Sequence, residues 1–418
     1  MELFNKSEFN ERRKKLYKKL SSGDIVIVPS APTRYKSGTV EYLYKQDSNF
    51  YYLTGINEEN CTFVMAKIGI KKYEALFIEE NNPNIETWTG RRLSADEVKD
   101  INGMESVFYN DKCEDYMNSL LANGETLYYS YKQTGMNSPL DEDMNRIESL
   151  RKHFPNLTYI KNANQLIFPL RTIKSPSEVK AMEKAIEYTA EGVLNVLRKA
   201  KPGMFEYQLR AEIEYEFLRN GSRQPGFNTI VASGKNAAVL HYVSMKDVVK
   251  KNDLILIDIG ADCCNYSADI SRTFPSSGKF TGKKRDLYAA LLDIQKTLIQ
   301  FVKPGRSMRE VDEKTIKLIS KMLKSFKYIK DESGYFKYYP HSVGHMLGLD
   351  THDVQGIQRK KPVLKEGMVV TIEPGVYIKE DSIGIRIEDD ILVTKKGRRN
   401  LSADIPKEID AIEDIMEG

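Results

Sequence analysis

The spacing of hydrophobic and polar positions changes character along the chain, and the change divides it. From Asp24 to about Lys161, short β-rich runs recur: DIVIVP at 24–29, NFYYLTG at 49–55, CTFVMAK at 61–67, EALFIEE at 74–80 and TLYYSY at 126–131. Helical stretches at 94–102 and 139–153 lie between and after them. Strand runs interleaved with helical ones predict an α/β domain. The period then becomes helical in SPSEVKAMEKAIEYTAEGVLNVLRKAKPG, where Val179, Met182, Ile186, Val193 and Leu197 recur on one face. Ser175 reads as an N-cap, Pro176 as the first helical residue and Glu178 as the partner that closes a capping box. The chain is therefore expected to be α/β (α+β), with one domain at 1–165 and a second at 166–418.

The second domain carries a faint internal duplication. AKPGMFEYQLRAEIEYEF at 200–217 echoes VKPGRSMREVDEKTIKLIS at 302–320, and in each KPG ends one helix shortly before another begins. Three further pairs, Gly203 with Gly305, His241 with His345 and Asp258 with Glu373, are separated by offsets that grow in chain order. Two similar halves with unequal loops would give that drift.

Composition narrows the function classes. The 418 residues hold 63 basic against 59 acidic side chains, a net charge of +4 spread in mixed signs, so no strong field awaits a nucleic acid. The amino terminus is charged throughout and lacks the apolar stretch of a secretory signal, and no apolar run reaches the roughly 18 residues a bilayer needs. Cys61, Cys113, Cys263 and Cys264 form no disulfide framework. A cytoplasmic protein with neither nucleic-acid nor membrane partners is expected. The basic cluster from Arg12 to Lys19 reads as a solvated helix face.

The chemistry lies in two ribbons and one histidine-rich segment. LILIDIGADCCNYSADISRTF at 254–274 reads as a strand, a turn at Cys263 and Cys264, and a returning strand; that turn puts Asp258 directly opposite Asp269. VVTIEPGVYI, a charged tip from Lys379 to Ser382 and GIRIEDDILV form a second ribbon with Glu373 opposite Glu388. Four carboxylates in an apolar sheet would destabilise it by many kcal/mol unless bound cations compensate them. Between the ribbons, HSVGHMLGLDTHD at 341–353 holds three of the five histidines. Ser342 stands where an HExxH zinc helix needs glutamate, and Gly344 and Gly348 disfavour a helix. One histidine with four carboxylates is an oxygen-rich ligand set that admits Mn²⁺, Co²⁺ or Fe²⁺ beside Zn²⁺. Asp262, Asp353, Asp389 and Asp390 match no ligand position and read as turn, supporting or solvated residues.

Together these residues resemble the creatinase and aminopeptidase family with the pita-bread catalytic fold, most closely its Xaa-Pro aminopeptidase branch, over nearly the whole chain. The resemblance implies that Asp258, Asp269, His345, Glu373 and Glu388 bind two divalent ions, Mn²⁺ foremost. It implies that hydroxide held between them attacks the peptide bond before a proline, with His241 and His352 assisting the oxyanion and Glu373 passing a proton to the leaving nitrogen. His341 and Arg386 would contact the substrate. DSNFYYLTGINEENCTFVMA and IETWTGRRL look like the accessory domain of the proline-specific branch, and Trp88, by default a core or interface aromatic, would cap the cleft of a neighbouring copy in a homodimer or homotetramer. The alternatives are an Xaa-Pro dipeptidase, a metal-free hydrolase and a non-catalytic peptide-binding module on the same fold.

Overall fold

The computed structural model describes residues 3–131, 142–358 and 361–418, and these form two compact units, Met1–Arg171 and Thr172–Gly418. In the first, six strands make one mixed sheet in the order Val107–Tyr109, Lys71–Ile78, Thr62–Ile68, Asp24–Pro29, Thr126–Tyr129 and Tyr159–Asn162. Ile25, Ile27, Val64, Ala66, Phe77 and Leu127, every second residue of their strands, form the core on one face, and the alternate residues Val26, Val28, Phe63, Met65 and Leu76 are buried on the other. The expected helices appear at Ala95–Asn102 and Glu142–His153, while residues 139–141 lie outside the described ones.

Two expectations for this unit are corrected. NFYYLTG is no strand but most of the helix Ser48–Thr54, capped by the Asp47 carboxylate on the amides of Asn49 and Phe50 and ended by Gly55 at φ 69°. A short continuous apolar run has no period that separates helix from strand, and here the caps decide. The Arg12–Lys19 face is not wholly solvated either. Arg13 is buried and donates to Glu74, to the Leu53 and Asn102 carbonyls and to Asn10, while Arg12 lies over the Tyr52 ring.

The second unit opens with α1 (Pro176–Lys199), whose Ser175 cap, Pro176 and reciprocal Glu178 box are as the spacing predicts. It continues through α2 (Glu206–Arg219), β1 (Ile230–Ser233), β2 (Leu254–Ile259), β3 (Ile270–Pro275), α3 (Gly282–Phe301) and α4 (Met308–Ser325). Then come β4 (Val369–Ile372), β5 (Gly375–Ile378), β6 (Ile383–Arg386), β7 (Asp389–Thr394) and β8 (Gly397–Asn400). The sheets run β3-β2-β1 and β4-β7-β8, and β5-β6 is a two-stranded extension.

The duplication is visible in backbone detail. Gly203 and Gly305 both adopt positive φ, 94° and 86°, and their amides bond the carbonyls of Val249 and Leu364. Two residues on, Phe205 bridges Val248 and Ser307 bridges Val363. Each half thus joins a helix pair to the approach of its own carboxylate ribbon by the same device. A β-carbon would be strained at those φ values, which is why glycine follows proline in both copies.

Candidate metal centre

The first ribbon turns one residue later than the sequence suggested. Cys264 and Asn265 are the central residues, at φ 52° and 64°, as a two-residue hairpin turn of the primed type requires. Asn265 tolerates this region, and its amide bonds the Asp262 carboxylate. The shift corrects the pairing: Asp258 lies directly opposite Ser271, and Asp269 sits two residues nearer the turn. Because the turn centre moves by one residue, cross-strand partners move by two, and both aspartates keep one face of the ribbon. In the second ribbon Ile372 pairs with Asp389 and Gly375 with Arg386, so Glu373 and Glu388 stand opposite each other in the gap between β4-β7 and β5-β6, as expected.

The histidine segment is irregular throughout and forms no helix from 341 to 353. It lies against β4: Met346 bridges Val370, the His345 amide donates to Thr371 Oγ1 at 3.1 Å, and the Thr371 amide donates to the His345 carbonyl at 2.9 Å. Gly344 permits this, because a β-carbon there would collide with the Thr371 carbonyl. His345 is thereby aimed at the ribbons. Its Nε2 lies 3.2 Å from Asp269 Oδ2 and 3.7 Å from Glu373 Oε1.

Asp269, His345 and Glu388 offer ligand atoms that all lie within 4.8 Å of one another, the geometry of a metal-binding cluster. Glu388 is buried and held by the Ser271 hydroxyl at 2.8 Å, with its amide on the Ser271 carbonyl. Asp258 meets Arg386 Nη2 through Oδ2 at 2.7 Å, whereas its buried Oδ1 has no hydrogen-bond partner among the described residues. A carboxylate oxygen left so, beside three further acids and one histidine, fits a hard divalent ion.

Electrostatics agree with that fit. Burial pushes the Asp269 carboxyl well above its usual range, and the negative charges of Asp258, Asp390 and Glu373 push it further. Glu388 is raised well above its range for the same reasons, chiefly burial and then Asp269. Burial lifts Glu373 to about 7 against the opposing pull of His345 and Arg386. In the metal-free fold these groups hold protons that the unfolded chain releases near pH 4, so stability falls as pH rises from that value through 7 and above. Divalent ions displace the protons. The expected result is proton release on adding Mn²⁺ in weak buffer at pH 7, and a metal-induced rise in Tm that grows from pH 5 to pH 8. A Tm rise independent of pH would contradict the assignment.

A relay that sequence reading missed joins the other predicted residues. Arg386 is buried and donates from Nε to Ser271 Oγ, from Nη2 to Asp258 and from Nη1 to the Tyr377 hydroxyl at 2.9 Å. Tyr377 in turn meets His341 Nε2 at 2.9 Å, and His341 Nδ1 bonds the Ser342 carbonyl at 2.8 Å. Burial and the Arg386 charge hold His341 down to about 4, so the ring is neutral and Tyr377 donates to it. Tyr377 follows Glu373 by four residues on one strand path and shares its face; that parity was the available signal. Ser271, the residue that joins Glu388 to Arg386, could be found only once the turn was placed.

The remaining candidates distribute as follows. His352 is exposed, with its ring centroid 4.3 Å from that of His345, and burial of part of the ring together with the neighbouring histidines lowers it to about 4. His241 is exposed in the loop after β1, near enough to act electrostatically on both His341 and His352. Trp88 belongs to the first unit, 87% exposed on the helix Pro83–Thr89, which buries no residue; the core placement is thereby corrected. Asp353, Asp389 and Asp390 are buried rather than solvated: Asp353 pairs with Lys174, Asp389 with Arg272 and Lys407, and Asp390 accepts the Asp269 amide.

Comparison with known proteins gives a consistent picture. Residues 180–395 match the model of metallopeptidase family M24, and residues 9–128 that of the aminopeptidase P N-terminal domain. The chain is 34% identical to the Xaa-Pro aminopeptidase of Escherichia coli strain K12, covering 100% of this chain and 99% of that protein. A solved structure from Bacillus anthracis superposes with a TM-score of 0.96 at 38% identity, covering 99% of each chain. Zinc-substituted E. coli aminopeptidase P in complex with product superposes with a TM-score of 0.90 at 32% identity, covering 99% of this chain and 98% of that one.

Proposed function

We propose the activity of this chain from its family and its centre together: the chain belongs to metallopeptidase family M24, and it is a metal-dependent aminopeptidase that hydrolyses the bond between an amino-terminal residue and a following proline. The observation that carries the reading is the convergence of Asp269, His345 and Glu388, with Asp258 and Glu373 beside them, in a chain that covers 99% of the E. coli Xaa-Pro aminopeptidase. Those five side chains would hold two divalent ions, which when bound acidify water near neutral pH and polarise the scissile carbonyl. Manganese is the ion we assign, on the oxygen-rich donor set.

The side chains around the ions set the rest. The carboxylates attract the free amino group of the peptide, which restricts cleavage to the first bond. His352 and His241 supply N–H donors to the carbonyl oxygen as charge develops on it. Glu373 is the residue we assign to pass a proton to the leaving nitrogen. Arg386 fixes Asp258 while ordering Tyr377 and His341 along the substrate wall. Residues 172–418 carry this chemistry, and Trp88 on the accessory unit is assigned to the cleft of a neighbouring copy in a homodimer or homotetramer. No helix among the described residues is long and apolar enough to cross a membrane. With four free cysteines, we place the protein in the reducing cytoplasm.

Xaa-Pro peptides of graded length, assayed with and without Mn²⁺, test the reading. Metal-dependent cleavage of tripeptides and longer chains is expected. Activity confined to dipeptides would convert the assignment to a prolidase, and no cleavage at full metal loading would leave a binding module.

A further inference from the structure

Glu206 begins α2 in the FEY segment that follows the first KPG turn, and no exposed surface remains on it. A buried carboxylate needs compensating charge or donors. Here five donors converge on it. Its Oε1 accepts from the Ser233 amide at 2.7 Å, the Ser233 hydroxyl at 2.8 Å and Asn236 Nδ2 at 3.0 Å. Its Oε2 accepts from the Tyr242 hydroxyl at 2.8 Å and the Asp247 amide at 3.3 Å. The backbone closes the same loop from the other side, because the Glu206 and Tyr207 amides donate to the carbonyls of Asp247 and Met245. One side chain thus ties down both ends and the middle of segment 233–247.

What that segment presents is His241. Along VLHYV exposure alternates: Val239, His241 and Val243 face solvent, while Leu240 and Tyr242 pack on Ile230, Ala232, Leu256 and Tyr377. Tyr242 faces the interior between two outward residues, so fixing its hydroxyl fixes the backbone that aims the neighbouring histidine. Asn236 reinforces the hold by meeting the Tyr242 hydroxyl at 3.0 Å and Asp247 Oδ2 at 3.1 Å. Burial, with Glu206 adding to it, pushes the Tyr242 hydroxyl up to about 12, so it stays a donor at working pH.

We propose that Glu206 is the positioning residue for His241, acting through the Tyr242 hydroxyl to hold the imidazole where it meets the reacting carbonyl. This rests on the aminopeptidase reading above. A scaffold role alone would not require the effect to pass through one histidine.

The test is a double-mutant cycle on the metal-loaded full chain. Tyr242→Phe removes one hydroxyl and keeps the packed ring, so folding and metal content should be those of wild type. It is expected to lower kcat on an Xaa-Pro tripeptide between about ten- and a hundredfold, with KM little changed. In a His241→Ala background the same substitution should cause no further loss. Glu206→Gln, measured alongside, should reproduce the pattern. Equal losses from Tyr242→Phe in both backgrounds, or no loss in the first, would overturn the proposal while leaving the aminopeptidase reading intact. A wild-type protein that cleaves no Xaa-Pro peptide would overturn that reading and the proposal with it.

Discussion

Glu388→Gln should abolish peptide hydrolysis, with kcat/KM falling roughly 10⁴-fold because the metal ligands act as a unit. The amide keeps the shape of the side chain and can still accept the Ser271 hydroxyl that now lies at 2.8 Å. What it loses is the charge. Glu388 is buried and its ionisation is opposed first by desolvation and then by Asp269, so the metal-free variant should be more stable than metal-free wild type, not less. The same variant should bind fewer ions per chain and lose most of the metal-induced gain in Tm. Three readouts must therefore move in different directions: activity down, metal content down, metal-free Tm up. A variant that unfolded in the absence of metal would show that Glu388 serves packing rather than ions.

Arg386→Ala should have the largest effect on stability. Its guanidinium is buried and meets Asp258, Ser271 and Tyr377 at once, so truncation leaves a carboxylate, a hydroxyl and a phenol without their common partner. Removing one member of a buried pair destabilises by about 3–5 kcal/mol. For a unit of this size each kcal/mol shifts the midpoint by roughly 2–4 °C, so Tm should drop by about 10 °C. Arg386→Lys separates charge from geometry. An ammonium can face Asp258, but it cannot also hold Ser271 and Tyr377 with a fixed fork. The lysine variant should regain part of the stability and little of the activity, checked by thermal melts at saturating Mn²⁺ beside kcat/KM. Full recovery of kcat by lysine would show that the relay through Tyr377 and His341 is unimportant.

Much of the site was legible because period-two spacing survives local error. The first ribbon turns one residue later than its sequence suggests, yet Asp258 and Asp269 still share a face, since moving the turn centre shifts partners by an even step. The second ribbon needed no correction because its charged tip marks the reversal plainly. Contacts that depend on three-dimensional closure were not legible. Nothing in sequence joins Ser271 to Glu388 and Arg386, or Tyr377 to His341, because the first pairs form only when two ribbons meet and the last only when the histidine segment reaches the second ribbon. NFYYLTG failed for a different reason: its apolar run has no period, and its caps, Asp47 and Gly55, lie at or beyond its edges. Buried Arg12 and Arg13 show the limit of reading charge as exposure, since carbonyl and aromatic partners can replace water.

The backbone link from the Glu388 amide to the Ser271 carbonyl has a bearing on how the protein is made. A ribosome delivers the first ribbon more than a hundred residues ahead of the second, so the early acids wait without their companions. Until the second ribbon has also been made, no complete cage exists to trap an ion. Metal loading is in this way deferred until both copies of the duplicated architecture are present to hold what they capture.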